Sequence, residues 1–181
     1  MKMIVTLVVM LLSSAGNAAE FKQVQLDKSS ITFVSTQMSV PVTGVFKKFS
    51  ASVQMNPLKP EQGSAKIEID VASIDAGGDE ANEEVKGSSW FDVAQFQKAS
   101  FVSSSVKTLG AGKFEATGKL TIKGKTVEVR APFAMTVGKG VLIVDGVLPI
   151  KRLDFGIGSG LWRDISVVAD EVQIKFHLEL K

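Results

Sequence analysis

The chain has 181 residues, a length that suits a single domain, and its formal net charge is only +2. It contains no cysteine, which excludes disulfides, thiolate metal sites, a cysteine nucleophile and an acylated N-terminal cysteine anchor. Its basic residues form no block or tail, so the commonest electrostatic footprint of nucleic-acid binding is missing.

Residues 1–18 have the layout of a secretory signal peptide. A lysine gives a short positive start, residues 3–12 form an almost unbroken apolar run, and small residues follow. The apolar run is too short to span a bilayer, although an uncleaved anchor or a buried strand is the alternative interpretation. We expect cleavage after Ala18 or Ala19, which would leave one domain at 19–181 in the periplasm.

Short segments in which apolar and polar residues alternate recur along the rest of the chain. Successive side chains of a strand point to opposite faces, so each segment predicts a strand with one apolar face. In chain order the segments cover 31–33, 40–46, 49–55, 67–71, 101–106, 114–122, 127–137, 141–150 and 172–180. Eight to ten strands with turn signals between them are typical of an all-β sandwich or barrel.

The edges of such a sheet favour the barrel, because closure removes unpaired backbone groups. An eight-stranded barrel is just wide enough to be filled by side chains or to hold one small ligand. Residues 172–180 would be the natural closing strand. Residues 79–97 interrupt the alternation with acids and helix formers, and they predict one or two short helices that carry Trp90 and Phe91.

The clearest alternation lies at 118–137, which predicts a hairpin with its turn at 123–125. The segment Gly124-Lys125-Thr126 resembles the end of a phosphate-binding loop. However, the spacing from Gly118 is one residue too long and a hairpin is the wrong context, so we interpret it as a plain turn. The apolar positions after the turn that share one face include Val127, Val129, Phe133 and Met135.

Groups able to catalyse a reaction are sparse. The one histidine, His177, lies in the last predicted strand on the face opposite its apolar neighbours, which predicts a solvent-facing side chain. An enzyme, such as a hydrolase or isomerase, would have to use Arg152, Asp154 and Asp164. Nothing in the sequence shows that these groups converge, and they equally fit solvated structural pairs.

The aromatic residues are 11 phenylalanines and 2 tryptophans, spread over the chain without any tyrosine. They either fill a core or line a pocket, and strand parity alone does not separate the two. A small barrel with a helical flap and no catalytic group favours a pocket for an apolar ligand.

Four landmarks resemble the YceI-like family of lipocalin-like proteins, over about residues 21–180. They are SITF at 30–33 with VTGVF at 42–46, WFDVAQF at 90–96 with ASFVS at 99–103, GKLTIKGKT at 118–126, and KRLDFGIG at 151–158 followed by the strand at 172–180. The chain departs from the family at Gln97, where a proline is usual, and at 79–85, which would border the mouth of the pocket.

The resemblance implies an extended antiparallel eight-stranded lipocalin-like barrel, with one or two short helices, around an elongated apolar channel. It implies non-catalytic binding, transport or storage of a long-chain apolar lipid in the periplasm. That lipid would be an isoprenoid, an isoprenoid quinone precursor, or a fatty acid or amide. No cofactor, metal ion or nucleic acid is expected. A transient membrane contact for lipid loading and a homodimer are left open.

The predicted ligand-binding residues come from the inward faces of the strands and from the helical flap. They are Phe33, Phe49, Trp90, Phe91, Phe101, Val127, Val129, Phe133 and Met135. Two other functions stay open: an enzyme acting on such a lipid, and a filled barrel that serves as an interaction module for a membrane redox partner.

Overall fold

The computed structural model describes residues 20–181, so the predicted signal peptide lies outside the described residues. Within residues 20–181, ten strands and one α-helix are joined by loops and short 3-10 turns. The strands are β1 Ser30–Gln37, β2 Val40–Phe46, β3 Phe49–Gln54, β4 Ser64–Asp70, β5 Ile74–Asp75, β6 Lys98–Gly110, β7 Lys113–Ile122, β8 Lys125–Gly138, β9 Val141–Lys151 and β10 Glu171–Leu180, and the helix is α1 Asp79–Lys86. No helix among residues 20–181 is long and apolar enough to cross a bilayer.

All ten strands belong to one antiparallel sheet with the order β3-β4-β6-β7-β8-β9-β10-β1-β2-β5. The predicted closing strand is confirmed, because β10 pairs with both β9 and β1. The two edge strands of the sheet, β3 and β5, come close where the residues just before each of them are joined by backbone hydrogen bonds. There, Lys47 N donates to Ser73 O at 3.1 Å, and Asp70 N donates to Lys48 O at 3.0 Å. The result is a curled, barrel-like sheet.

The all-β barrel-like architecture is confirmed, but the count of eight strands is wrong. Strand β5 has only two residues, Ile74 and Asp75, and it pairs with the end of β2. A strand of two residues is too short to show alternation. The expectation that Trp90 and Phe91 lie on a helix is also wrong, because α1 ends before Gly87 and both aromatic residues lie in the turns that follow.

A cluster of buried apolar residues lies at the end of the barrel where the β6–β7 and β8–β9 hairpins turn. Phe114 and Phe133 stack there with ring centroids 5.5 Å apart. Leu142 and Leu180 in the same cluster are completely buried. This cluster closes one end of the barrel.

Candidate functional site

An internal cavity of about 580 Å³ lies inside the curled sheet. This volume falls within the range of about 300–1,000 Å³ that is usual for small-molecule sites. Every strand except β5 contributes to its wall. The aromatic residues of the lining are Phe33, Phe46, Trp90, Phe91, Phe101, Phe133, Trp162 and Phe176.

Strand alternation explains why this wall is apolar. On β9 the lining residues Val144, Leu148 and Ile150 share one parity, while Asp145 points the other way and is exposed. Each strand therefore sends its apolar face inward and its polar face to water.

Glycines give the aromatic rings their positions against the wall. Gly146 on β9 faces Phe176 on β10 in the strand register, and Gly44 on β2 faces Phe33 on β1. A Cβ atom at either glycine would overlap the facing ring. The two rings therefore lie flat over the backbone, which leaves the space in front of them open.

The cavity brings together five of the nine predicted site residues. They are Phe33, Trp90, Phe91, Phe101 and Phe133, and they come from β1, β6, β8 and the turns after α1. The aromatic residues Phe33, Phe46 and Phe91 form a continuous group. The Phe33 and Phe46 centroids are 5.6 Å apart, and the rings of Phe46 and Phe91 meet edge to face at 6.3 Å.

The other four predicted residues, Phe49, Val127, Val129 and Met135, are half-buried and are not among the residues that line the cavity. Phe49 and Met135 pack against the cluster at the closed end of the barrel. Val127 and Val129 pack against a second cluster that contains the buried Phe155. Parity predicts the face on which a residue lies, whereas its depth along the strand decides whether it meets the cavity.

Sequence reasoning missed several lining residues, of which Phe46, Trp162 and Phe176 are the largest. Two of them carried a usable signal. Phe176 lies on the apolar face of 172–180, and Phe46 ends the apolar alternation of 40–46. Trp162 carried no such signal, because it lies in a 3-10 turn at Gly160–Arg163 that the tertiary structure folds against Trp90.

Helix α1 borders the cavity where the lining reaches solvent, since the lining residues Glu80, Ala81 and Glu84 are exposed. The Trp90 indole donates a hydrogen bond to Glu84 Oε1 at 3.1 Å. The centroid of Trp90 is also 5.3 Å from that of Trp162. Helix α1 and the two tryptophans, Trp90 and Trp162, therefore border the open side of the cavity.

The charged residue Arg152 is buried beside the cavity and is only 2% exposed. Its Nε donates to Ala169 O at 3.0 Å, and its Nη2 donates to Val168 O at 2.7 Å. Its Nη1 donates to Ile157 O and Gly158 O at 2.9 and 3.3 Å. Burial lowers the pKa of the guanidinium, with Asp170 acting in the opposite direction. Arg152 therefore links the segment at 157–158 to the segment at 168–169 by hydrogen bonds to their carbonyl groups.

The groups of the enzyme hypothesis do not converge. Asp154 and Asp164 are exposed, whereas Arg152 is buried and donates to backbone carbonyls. Hydrogen bonds from the Ser166 hydroxyl and amide lower the pKa of the Asp164 carboxyl below its ordinary value of 3.8. An acid that is ionised in water and occupied by a neighbouring serine does not suit proton transfer inside the barrel.

His177 lies outside the cavity, as its parity predicted. Its Nδ1 lies 2.6 Å from Asp145 Oδ1 on the adjacent strand. Over residues 20–181, no three histidine, aspartate or glutamate side chains are grouped so that they could hold a metal ion.

Comparison with known proteins matches residues 23–180 to the YceI-like domain. A UPF0312 protein of Azotobacter vinelandii is 28% identical over 145 residues, which are 75% of this chain and 72% of the relative. The crystal structure of BcnA from Burkholderia cenocepacia is 50% identical with a TM-score of 0.86, and the match covers 88% of this chain and all of that one.

A more distant structure shares the fold. It is a polyisoprenoid binding domain from Saccharophagus degradans, 18% identical with a TM-score of 0.66, and the match covers 91% of this chain and 98% of that one. The domain match spans all of the strands of the curled sheet and all of the residues that line its cavity. The chain therefore belongs to the YceI-like family.

Proposed function

We propose that this protein binds a long-chain apolar lipid in its interior cavity, without catalysing a reaction, and stores or transports that lipid in the periplasm. The observation that carries the proposal is the cavity, whose wall is built from the apolar faces of nine strands. A hydrocarbon chain that leaves water for such a wall gains about 0.8 kcal/mol per buried CH₂ group. A site of this kind needs few polar groups, and Glu80 and Glu84 of helix α1 lie at its open side.

Family membership supports a lipid as the ligand, and the polyisoprenoid-binding relative from Saccharophagus degradans favours an isoprenoid chain. An isoprenoid quinone precursor or a fatty acid or amide would satisfy the same apolar wall. The periplasmic location rests on the signal-peptide layout of residues 1–18. Membrane contact during loading and a homodimer remain predictions.

The cavity also bears on the two other functions. A filled barrel that acts only as a protein-interaction module would leave no internal space of about 580 Å³. An enzyme would need acids that converge on the cavity, whereas Asp154 and Asp164 are exposed to solvent.

Two alanines on β8 offer a matched test. Ala131 is 4% exposed and lines the cavity, while Ala134 lies on the opposite parity and is exposed. The exported protein, Ala131→Phe and Ala134→Phe would be purified, extracted with organic solvent and analysed by mass spectrometry. Filling the cavity at Ala131 should reduce the lipid carried per protein by about tenfold, because the ring competes with the ligand for the same space. Ala134→Phe should carry as much lipid as the wild type.

Circular dichroism would first establish that both variants are folded. A folded Ala131→Phe variant with a full lipid load would place the ligand outside the cavity. A wild-type protein that carries no lipid and cannot be loaded with one would refute the carrier proposal.

A further inference from the structure

The tip of the β1–β2 hairpin exposes apolar side chains next to the cavity. Gln37 and Val42 line the cavity, one on each strand of the hairpin. Between them, Met38 is 68% exposed and Val40 is 62% exposed.

A second loop places further apolar side chains at the same edge of the cavity. Leu161, beside the lining residue Trp162, is 93% exposed, and Ile165 is 61% exposed. Backbone hydrogen bonds hold this loop to the hairpin, since Met38 N donates to Val167 O at 2.8 Å. We call the four exposed side chains, Met38, Val40, Leu161 and Ile165, the apolar rim.

The hairpin that carries half of the apolar rim has no charged residue from 29 to 46. Three exposed apolar residues outside the apolar rim each have a lysine within two residues. Leu58 precedes Lys59, Leu109 lies two residues after Lys107, and Val137 lies two residues before Lys139. The hairpin tip can therefore enter a medium of low dielectric constant without burying a charge. Leu58, Leu109 and Val137 could not do so without burying a nearby lysine.

The turn at this tip also has an unfavourable backbone. Met38 and Ser39 both have positive φ angles, of 46° and 65°. The other two-residue turns, at 111–112, 123–124 and 139–140, all have glycine in the second position, which such turns favour. This turn differs from the others at Ser39, which takes the left-handed conformation in the position where they have glycine. Backbone strain of this kind is concentrated at functional sites.

We propose that the apolar rim docks on the surface of a lipid bilayer and places the open side of the cavity against it. This inference rests on the proposed function. If the cavity holds a lipid, docking would let that lipid pass between the bilayer and the protein without crossing water. A bilayer fits the rim better than a folded protein does. The rim consists of separate loop tips with no flat complementary face, and a bilayer surface accepts such tips.

The charges near the rim indicate which bilayer it would bind. Arg163 and Asp164 both lie between Leu161 and Ile165, so one cation and one anion accompany the apolar side chains of this loop. Both are exposed and can stay at the level of the lipid headgroups while Leu161 and Ile165 enter the apolar layer. Helix α1 carries Asp79, Glu80, Glu83 and Glu84 beside the cavity, so a strongly anionic surface would be repelled. Binding should therefore be apolar in origin and should favour neutral lipids.

The test uses the purified exported protein and phosphatidylcholine vesicles in a flotation assay. Met38→Asp combined with Leu161→Asp should lower the vesicle-bound fraction by about tenfold, because each charge resists entry into the apolar layer. Leu58→Asp combined with Leu109→Asp is the matched control, since these residues are 78% and 52% exposed but lie elsewhere. The control should bind as the wild type does, and high salt or added anionic lipid should not increase binding.

Absence of wild-type binding to the vesicles, or equal loss in rim and control variants, would overturn the docking proposal. A rim variant that only changes the molecular mass measured by light scattering would also overturn it, because the rim would then join copies of this chain. Solvent extraction of the same preparations keeps the two proposals separate. Rim-dependent vesicle binding by a protein that never carries lipid would refute the carrier function and leave docking intact.

Discussion

The buried guanidinium of Arg152 is held by backbone carbonyls rather than by a carboxylate. Its nitrogens donate to four carbonyl oxygens, on residues 157, 158, 168 and 169. Its centre also lies 5.8 Å from the centroid of the Trp90 ring. A guanidinium suits this role because it presents five donors in a rigid planar fork.

Replacing Arg152 with methionine should therefore destabilise the protein strongly. The carbonyl oxygens would lose their donors, and each buried group left unsatisfied costs about 1–3 kcal/mol. We expect the free energy of unfolding in urea to fall by at least about 3 kcal/mol for Arg152→Met. Arg163→Met, on the same loop but exposed, should change it by no more than about 0.5 kcal/mol. Similar values for the two variants would contradict the structural role of Arg152.

Single residues also mark the limit of sequence reasoning about the site. Phe33 and Phe133 could be assigned to the interior because strand parity and size both favour burial. Val127 and Val129 have the same parity as Phe133, yet they pack against the cluster around Phe155. Phe155 belongs to a 3-10 turn at Arg152–Phe155, which is remote from both valines in the sequence.

At the scale of an element, the β1–β2 turn is the least favourable of the hairpin turns. Changing Met38 to Asn and Ser39 to Gly would supply the residues that a turn with two positive φ angles favours. We expect this double variant to raise the free energy of unfolding by about 1 kcal/mol, measured in urea, because the strain at both positions is relieved.

Ala111→Asn provides the comparison, because the turn at 111–112 already has glycine in its second position. It should gain less than the variant of the β1–β2 turn. The β1–β2 variant also removes one side chain of the apolar rim, so its stability should rise while its vesicle binding falls. A variant that gains no stability would show that the turn is not strained.

Strands and helix were predictable to different degrees. The strands at 118–137 were recognisable because alternation over many residues is a strong local pattern. Strand β5 was not, because its pairing of Asp75 with Val45 is a tertiary contact between two short segments. Helix α1 was expected from its acids and helix formers, but its end before Gly87 left Trp90 and Phe91 in turns.

At the scale of the whole molecule, the half-buried carboxylates of Asp75 and Glu68 stabilise the folded state when they are ionised. Hydrogen bonding and charge attraction from Lys47, together with the Gly77 amide, lower the pKa of Asp75 below its ordinary 3.8. Lys66 and then Lys98 lower the pKa of Glu68 below its ordinary 4.5.

These carboxylates make the protein sensitive to acid. Because their pKa values are lower in the folded state than in the unfolded chain, they contribute stability above the unfolded values and lose it as the pH falls through the folded ones. We therefore expect the urea concentration at the midpoint of unfolding to decrease as the pH is lowered from about 5 to about 3. Asp75→Asn should start from a lower midpoint at neutral pH and lose less of it on acidification.

The control is Asp154, whose exposed carboxylate takes part in no side-chain hydrogen bond or ion pair within residues 20–181. Asp154→Asn should follow the wild-type acid profile. A midpoint that rises on acidification, or an unchanged acid loss in Asp75→Asn, would contradict this assignment.

The sequence by itself determined the β architecture, the inward face of each long strand and the family. These properties are local or periodic, because one strand's alternation is enough to divide its side chains between two faces. Only the tertiary structure decided that the interior keeps a cavity, that Arg152 ties two loops and that the apolar rim lies beside the opening. Each of these depends on contacts between residues far apart in the chain, such as Phe176 against Gly146 and Met38 against Val167. Periodicity states which way a side chain points, whereas the fold decides what it meets there.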